Sequence, residues 1–372
     1  MENKSKHIVI IANKCWTLFV ARIDFIDYLK SKGYEITLIA KEDGHTKYLT
    51  DRKYNFISIN FDVKGMNILK DFISLIHLIY LTKKIKPDLI LNFTTKANIY
   101  GSIAARFNSI PVVNNIAGLG TLFMNFDFKT KILLTLYKIS HKRVDFVFFQ
   151  NNEDRDLFLK HKIINQEKTL RIPGSGVNLL KYLAEPPYLK QVKFIFISRL
   201  LKAKGIYELI KAAEVVKQKY PEAVFEILGF VNNDSPTSIT LNEVEQWEKK
   251  GIIKYLGETQ DVRPYIKNST CVVFPSYYRE GVPRVLLEAS AMARPIITTD
   301  NIGCRDAVDH GFNGLLCKVK DHADLAEKII TFIQMSDTAK IEMGKSGRIK
   351  VEKEFDQNIV FNSYFKIIQE LA

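Results

Sequence analysis

Apolar residues along the chain fall into short dense runs separated by longer stretches with helical spacing. In the first half the dense runs are His7–Ala12, Tyr34–Ala40, Phe56–Phe61, Asp88–Phe93, Val112–Ile116 and Phe146–Gln150. Helical patterns occupy Phe19–Lys32, Asn67–Lys86 and Lys129–Arg143 between them. Many of the runs are apolar throughout, as expected when both faces of a parallel sheet are covered. The series restarts after Pro173-Gly-Ser-Gly-Val-Asn178. Strands are then expected at Lys193–Ser198, Val224–Leu228, Ile252–Leu256, Cys271–Pro275, Pro295–Thr299 and Leu315–Val319, and helices at Ile206–Lys219, Arg284–Ala293 and Ala323–Phe332. The alternation predicts an α/β fold of two Rossmann-like doubly wound domains facing a cleft, with ligands beyond the carboxyl ends of the strands. Pro173–Gly176 and Ala184-Glu-Pro-Pro187 read as the hinge.

A chain of 372 residues suits two domains of ordinary size. No stretch reaches the ~18 consecutive apolar residues of a membrane span, and the greasiest run, Phe72–Leu81, contains Ser74 and His77. His7–Ala12 is too short for a signal sequence and reads as the first buried strand. Cys15, Cys271, Cys304 and Cys317 show no paired spacing, which argues against a disulfide framework or zinc site and for a reducing, cytoplasmic compartment. The net charge of +13 is lopsided: residues 1–173 hold 27 Lys+Arg against 16 Asp+Glu, or +11, and the remainder 27 against 25, or +2. Such asymmetry suits an anionic partner, whether phospholipid surface, lipid diphosphate or nucleic acid, and a generally lysine-rich composition is the plainer alternative.

Two segments carry candidate chemistry. Ser198-Arg-Leu-Leu-Lys-Ala-Lys-Gly205 follows a strand and precedes a helix, so Arg199, Lys202 and Lys204 stand at a helix N-terminus, where N–H groups and the helix dipole favour an anion. A solvated basic turn is the alternative reading. The second segment, Cys271–Ile297, reads strand, loop, helix, strand. In it Gly281 permits close backbone approach, Pro283 suits a helix start, and the N–H groups of Val282 and Arg284 point into the expected cleft. Glu280 in the loop and Glu288 in the helix can face one bound molecule, and beside a diphosphate their natural task is to accept hydrogen bonds from hydroxyls. Taken singly, Glu280 reads equally as a surface residue and Glu288 as a helix-dipole partner.

Glu280 and Glu288, following Pro275-Ser-Tyr277 and preceding Glu288-Ala-Ser-Ala-Met-Ala-Arg-Pro-Ile296, together with Arg199 and Lys204-Gly205, resemble the retaining nucleotide-sugar glycosyltransferases of family four, which have the GT-B fold. The resemblance spans essentially the whole chain. It implies that Arg199 and Lys204 bind the donor diphosphate, Glu288 the ribose and Glu280 the transferred sugar, with Gly281, Val282, Pro283 and Leu287 lining the donor site. Gly257-Glu-Thr-Gln-Asp-Val262 resembles the family segment beside the nucleotide base, which adds Glu258. The first half is similar to members that extend undecaprenyl-diphosphate sugars, through Arg22, Lys96-Ala-Asn-Ile-Tyr-Gly101 and Gly118-Leu-Gly-Thr-Leu-Phe123. That similarity makes Arg22, Gly118, Leu119, Gly120 and Phe123 candidates for acceptor binding. Two departures stand out: Asn13-Lys-Cys-Trp16 replaces a glycine pair found in many members, and Ala117 stands where many carry a histidine that contacts the donor sugar. The expected division is 1–175 for the acceptor-binding domain, 176–355 for the nucleotide-sugar domain and 356–372 for a helix returning to the first.

By the same resemblance the sugar, an N-acetylhexosamine or a relative of one from a UDP donor, is transferred with retention by front-side attack. The protein then supplies charge stabilisation and placement through Arg199, Lys204 and Glu280. No cofactor and no metal is expected, and the seven histidines show no ligand spacing. Lys64–Lys86 reads as an ordinary amphipathic helix packed on the sheet. Phe123–Phe128 reads as an apolar loop that meets the membrane interface or the acceptor. The expected partners are thus a UDP-sugar, a lipid-diphosphate-linked sugar and the anionic inner face of the cell membrane, with no nucleic acid. A nucleotide-sugar epimerase of the same fold would convert donor without acceptor. A basic membrane- or nucleic-acid-binding protein without catalysis would leave Glu280, Glu288 and Arg199 unexplained. A dinucleotide-dependent dehydrogenase would need Gly-x-Gly-x-x-Gly after an early strand, and the chain has none.

Overall fold

The computed structural model describes residues 5–62, 67–120, 123, 127–231 and 237–372. The chain divides into two compact units, Met1–Ser175 with Asn358–Ala372, and Gly176–Gln357. Among the described residues each unit is built on one wholly parallel sheet with helices on both faces.

The first unit runs β1 (His7–Lys14), α1 (Cys15–Ser31), β2 (Glu35–Lys41), α2 (Thr46–Asp51), β3 (Asn55–Ser58), α3 (Ile68–Ile85), β4 (Leu89–Phe93), α4 (Thr95–Asn108), β5 (Val112–Ile116), α5 (Phe128–Ser140), β6 (Phe146–Phe149), α6 (Asn152–Lys160) and β7 (Thr169–Arg171). Its strand order, β3-β2-β1-β4-β5-β6-β7, reverses direction between β1 and β4. The apolar alternate residues Ile8 and Ile10 of β1 join one core cluster and Val9 and Ile11 the other, which is why this strand reads as an unbroken apolar run. On one face α1 and the final helix of the chain pack Phe25 against Tyr364, whose ring also lies 4.2 Å from that of Phe148. On the other face Leu78 of α3, Ala97 of α4 and Tyr137 of α5 fill the core.

The second unit runs β8 (Lys193–Ile197), α7 (Ile206–Lys219), β9 (Val224–Leu228), α8 (Leu241–Lys249), β10 (Lys254–Tyr255), α9 (Arg263–Lys267), β11 (Cys271–Phe274), α10 (Arg284–Ala291), β12 (Ile296–Thr299), β13 (Gly314–Cys317), α11 (His322–Gln334) and α12 (Asp337–Glu354), and α13 (Gln357–Leu371) follows. Strand order β10-β9-β8-β11-β12-β13 reverses between β8 and β11. Edge strands are shorter than their apolar runs. Ile252 and Ile253 are buried beside β10, and Ile59 and Phe61 beyond β3, yet neither pair is part of a ladder. Buried Arg294 donates to the carbonyls of Glu185, Ile266, Lys267 and Met292, and burial pushes its pKa down to about 10.

Two stretches differ from their sequence reading. Of the stretch Lys64–Lys86, Lys64, Gly65 and Met66 lie outside the described residues; the rest packs on the sheet through one face of α3 only, and the outward face of that helix is apolar. The expected apolar loop at Phe123–Phe128 separates. Phe123 is 3% exposed in the core with Ile116 and Leu133, whereas Phe128 at the start of α5 is 76% exposed. Met124, Asn125 and Phe126 lie outside the described residues.

The first core also holds a polar seam. Asn92 Nδ2 donates to Asn114 Oδ1 at 2.9 Å, and Asn114 Nδ2 lies 2.8 Å from Ser102 Oγ and 3.0 Å from His141 Nε2. Gly101 makes room for it, since a Cβ there would meet Asn92 Oδ1 at 2.1 Å. His141 is wholly buried, and burial depresses its pKa from 6.5 to about 3. The unfolded chain therefore takes up this proton first, and the stability that depends on neutral His141 is lost as pH falls from 6.5 towards 3. We expect the unfolding free energy to fall by up to ~1.4 kcal/mol per pH unit through this group. Urea titrations between pH 7 and 4 (roughly the span in which an ordinary histidine charges) should show that component missing in His141→Gln, and an identical slope in the variant would reject the assignment.

Candidate active site

The reversal point of the second sheet lies between β8 and β11, and the loops that leave these strands contain most of the donor-site candidates. After β8, Lys202–Lys204 forms a tight turn that delivers the chain to α7 through Gly205, whose φ is +79°. A Cβ at Gly205 would lie 2.0 Å from the Pro275 carbonyl oxygen, so glycine is what lets this loop touch the one after β11. The contact is sewn by Tyr277 N–H donating to the Ala203 carbonyl at 3.0 Å. From the other side Asn301 donates to the carbonyl of Tyr278 at 2.9 Å, Thr299 Oγ1 donates to that of Ser276, and a Cβ at Gly303 would overlap the Gly281 carbonyl oxygen.

This clamp brings together residues far apart in the sequence. Lys204, 7% exposed, forms an ion pair with Glu280, whose carboxylate also accepts from Ser276 Oγ at 3.1 Å. The Lys204 ammonium lies 4.7 Å from the centre of the Tyr278 ring, which adds a cation–π attraction. Beyond the loop, Pro283 takes the capping position of α10 with extended backbone, one residue before the helical turn rather than within it. Glu288, 8% exposed in the second turn, accepts from Tyr182 OH at 2.9 Å and from Arg284 Nη2 at 3.1 Å. Burial and the neighbouring Glu288 carboxylate both raise the Tyr182 pKa, which keeps the phenol a donor. Tyr182 is itself fixed by Arg348, which donates to its carbonyl at 2.8 Å.

The remaining candidates are placed as follows. Arg199 and Glu258 are exposed, Arg199 after β8 and Glu258 after β10. Gly281, Val282 and Pro283 are buried, and the Leu287 side chain is a core residue of the second unit. In the first unit Arg22 is not at the start of its helix, because α1 begins at Cys15 directly after β1. The residue is 5% exposed, and its guanidinium lies 4.3 Å from the Phe93 ring centre and donates to Asn115 Oδ1 at 3.1 Å, at the carboxyl ends of β4 and β5. Gly118 and Gly120 have φ of +98° and +71°, and Leu119 between them is buried. At the reversal of the first sheet, Asn13 N–H donates to Thr94 Oγ1, and the Thr94 hydroxyl donates to Asn13 Oδ1 at 2.6 Å. Thr94 itself has φ +88° and ψ 154°, a conformation that costs ~1–3 kcal/mol for a side-chain-bearing residue and concentrates at functional sites.

Sequence reasoning missed Tyr182 and Thr94. Tyr182 sits between the two segments read as hinge, with no local pattern to mark it. Thr94 adjoins the quoted Lys96–Gly101 motif, but its backbone strain has no signature in sequence. The ion pair yields a direct expectation. Removing one partner of a buried pair leaves the other charge uncompensated, so Lys204→Met and Glu280→Gln should each destabilise, and the double variant by less than the sum of the two. In a double-mutant cycle by urea denaturation the coupling should be ~1.5–3 kcal/mol, and strictly additive effects would show that the pair is not formed.

Comparison with known proteins agrees with this architecture. Residues 7–151 match the family description Glycosyl transferase 4-like and residues 184–349 match Glycosyl transferases group 1. The chain is similar to the N,N'-diacetylbacillosaminyl-diphospho-undecaprenol alpha-1,3-N-acetylgalactosaminyltransferase of Campylobacter jejuni, with 27% identity covering 94% of this chain and 95% of that one. It is likewise similar to the UDP-Gal:alpha-D-GlcNAc-diphosphoundecaprenol alpha-1,3-galactosyltransferase of Escherichia coli, at 28% identity over 89% of this chain and 87% of that one. Among solved structures, Anabaena HepE in complex with UDP and glucose superimposes with a TM-score of 0.79 at 17% identity, covering 98% of this chain and 99% of that one. Sucrose-phosphate synthase from Thermosynechococcus elongatus does so with a TM-score of 0.80 at 16% identity, covering 98% and 99%. The chain belongs to the glycosyltransferases, as a two-domain enzyme of the 4-like and group 1 families with the GT-B fold.

Proposed function

We propose that this glycosyltransferase moves a sugar, an N-acetylhexosamine or a relative of one, from a UDP donor onto an undecaprenyl-diphosphate-linked sugar, with retention, at the anionic cytoplasmic face of the cell membrane. The observation that carries this reading is the clamp at the β8/β11 reversal, which gathers the Lys204–Glu280 pair and the N-termini of α7 and α10 at one sheet edge, with Glu288 one turn further along α10. A diphosphate suits such an edge because both helix N-termini and the cations Lys204 and Arg199 favour anionic oxygens. The carboxylates are accounted for by hydroxyls: Glu280 accepts from the transferred sugar, and Glu288, aimed by Tyr182 and Arg284, accepts from the ribose. The backbone of Gly281, Val282, Pro283 and Leu287 lines the donor, and Glu258 lies by the base. The Campylobacter and Escherichia coli relatives, whose names specify undecaprenyl-diphosphate-linked acceptors, support the acceptor class. Arg22 and the Gly118-Leu-Gly120 turn are its binding side, with Phe123 supporting that turn from the core.

In the reaction the acceptor hydroxyl oxygen bonds to the anomeric carbon from the face the diphosphate leaves. The bond from that carbon to the diphosphate oxygen breaks, and the acceptor proton passes to the departing phosphate. Lys204 and Arg199 stabilise the charge that grows on the leaving group, the largest contribution this chain's residues make.

Incubation with a panel of labelled nucleotide sugars and a lipid-diphosphate sugar tests the reading directly. Transfer should require both substrates, and conversion of a donor without acceptor would replace the transferase reading with an epimerase. Lys204→Ala should reduce transfer about tenfold or more, the equivalent of one charge-assisted hydrogen bond, and unchanged activity would remove Lys204 from the donor site. Glu288→Gln keeps the shape but not the charge, so calorimetry should show weakened binding of UDP; equal affinity would exclude Glu288 as the ribose ligand.

A further inference from the structure

The outward face of α3 is apolar where a surface helix is ordinarily polar. Ile68, Leu69, Phe72, Ile73, Ile76 and Tyr80 are each 50–84% exposed. At 100° per residue these positions fall within an arc of about 140°, so they form one stripe along the helix rather than scattered exceptions. The opposite face is buried through Ser74, Leu78, Leu81 and Thr82. Exposed lysines accompany the stripe: Lys70 near its start, and Lys83, Lys84 and Lys86 at its end. The single acid of the helix, Asp71, faces inward and pairs with Lys96 at 2.6 Å. The exposed surface of α3 is therefore apolar and cationic, with no carboxylate.

We infer that α3 is a membrane-docking helix that lies in the interface of an anionic bilayer, its apolar stripe among the acyl-chain ends and its lysines at the headgroups. Charge decides between this occupant and a second copy of the chain. Copies meeting through α3 would bring lysines against lysines on a half that already carries +11, whereas anionic lipid is attracted by each of them. The helix does not span a bilayer: among the described residues no helix is long and apolar enough to cross one. Its position gives the docking a purpose. α3 begins beyond the carboxyl end of β3, where Ser74 Oγ donates to the Asn60 carbonyl at 3.0 Å, and its first turn is tied through Asp71 to the first turn of α4. The stripe thus starts at the sheet edge where doubly wound units bind ligands, so a bilayer against α3 would offer membrane-held molecules to that edge. This deepens the membrane part of the proposed function and is independent of which sugar is transferred.

The test is co-sedimentation of the full chain with vesicles of phosphatidylcholine alone and of phosphatidylcholine with phosphatidylglycerol, without nucleotide sugar. Wild type should prefer the anionic vesicles and lose affinity as salt rises. Phe72→Ser combined with Ile76→Ser should lower the partition coefficient tenfold or more with an unchanged melting temperature, since both side chains already face solvent. Lys83→Gln and Lys84→Gln should each cost about fivefold on anionic vesicles and little on neutral ones. Equal vesicle binding by wild type and the Phe72/Ile76 variant overturns the inference, as does no binding by wild type to either vesicle. A wild-type dimer in sedimentation velocity that the Phe72/Ile76 variant converts to monomer also overturns it, by showing that the stripe joins two copies. Vesicle binding through α3 by a protein that transfers no sugar would leave this inference standing and remove the transferase reading instead.

Discussion

A side chain at Gly205 would drive its Cβ into the Pro275 carbonyl, and one at Gly303 would drive it into that of Gly281. These two close backbone approaches hold the loop between β11 and α10 from either side, and the geometry of the candidate site depends on that grip. Without the first approach Lys204 would not reach Glu280. Without the second, the segment that carries Gly281 and Val282 into α10 would lose its backing. Rigidity matters here because a site that stabilises charge works through groups already in place, with no reorganisation when the charge develops. Ser276, Thr299 and Asn301 reinforce the grip with hydrogen bonds that a mobile loop could not keep.

The first unit solves a similar problem with different residues. Its strand order also reverses, between β1 and β4, but the turn after β1 has no glycine pair. β1 instead passes directly into α1, and Asn13 is locked to Thr94 across the reversal. Holding Thr94 at positive φ costs energy that the surrounding sheet and α4 must offset, as expected only where a local geometry is required. Close by, the asparagine-rich seam through Asn92, Asn114 and His141 places polar groups inside a core that apolar residues could have filled. Directional hydrogen bonds of this kind favour one arrangement of α4 against β4 and β5, at whose carboxyl edge Arg22 and the Gly118-Leu-Gly120 turn are found.

Charge and apolar surface converge on the same unit. The +11 of the first half includes the exposed Lys70, Lys83, Lys84 and Lys86, which stand near the two ends of the apolar stripe on α3. The bilayer inferred for α3 would cover an outer face that is otherwise left to water.

Much of this was legible in the amino-acid order. Apolar runs such as Val112–Ile116 and Val224–Leu228 match their strands to the residue, because central parallel strands are buried on both faces and admit little else. Edge strands such as β10 ended early, since apolar residues beside them are buried by helices without joining a ladder. The Glu280–Glu288 spacing and Lys204-Gly205 pointed to one site because the loop and helix that carry them are local features. Tyr182 was not legible, since its partner Glu288 is 106 residues away and only packing joins them. The burial of Phe123 and Arg22, and the exposure of Ile73 and Ile76 on a helix expected to be ordinary, were likewise decided by tertiary structure. Periodicity says that a helix has an apolar side, but which side meets the sheet depends on the neighbours that fold against it.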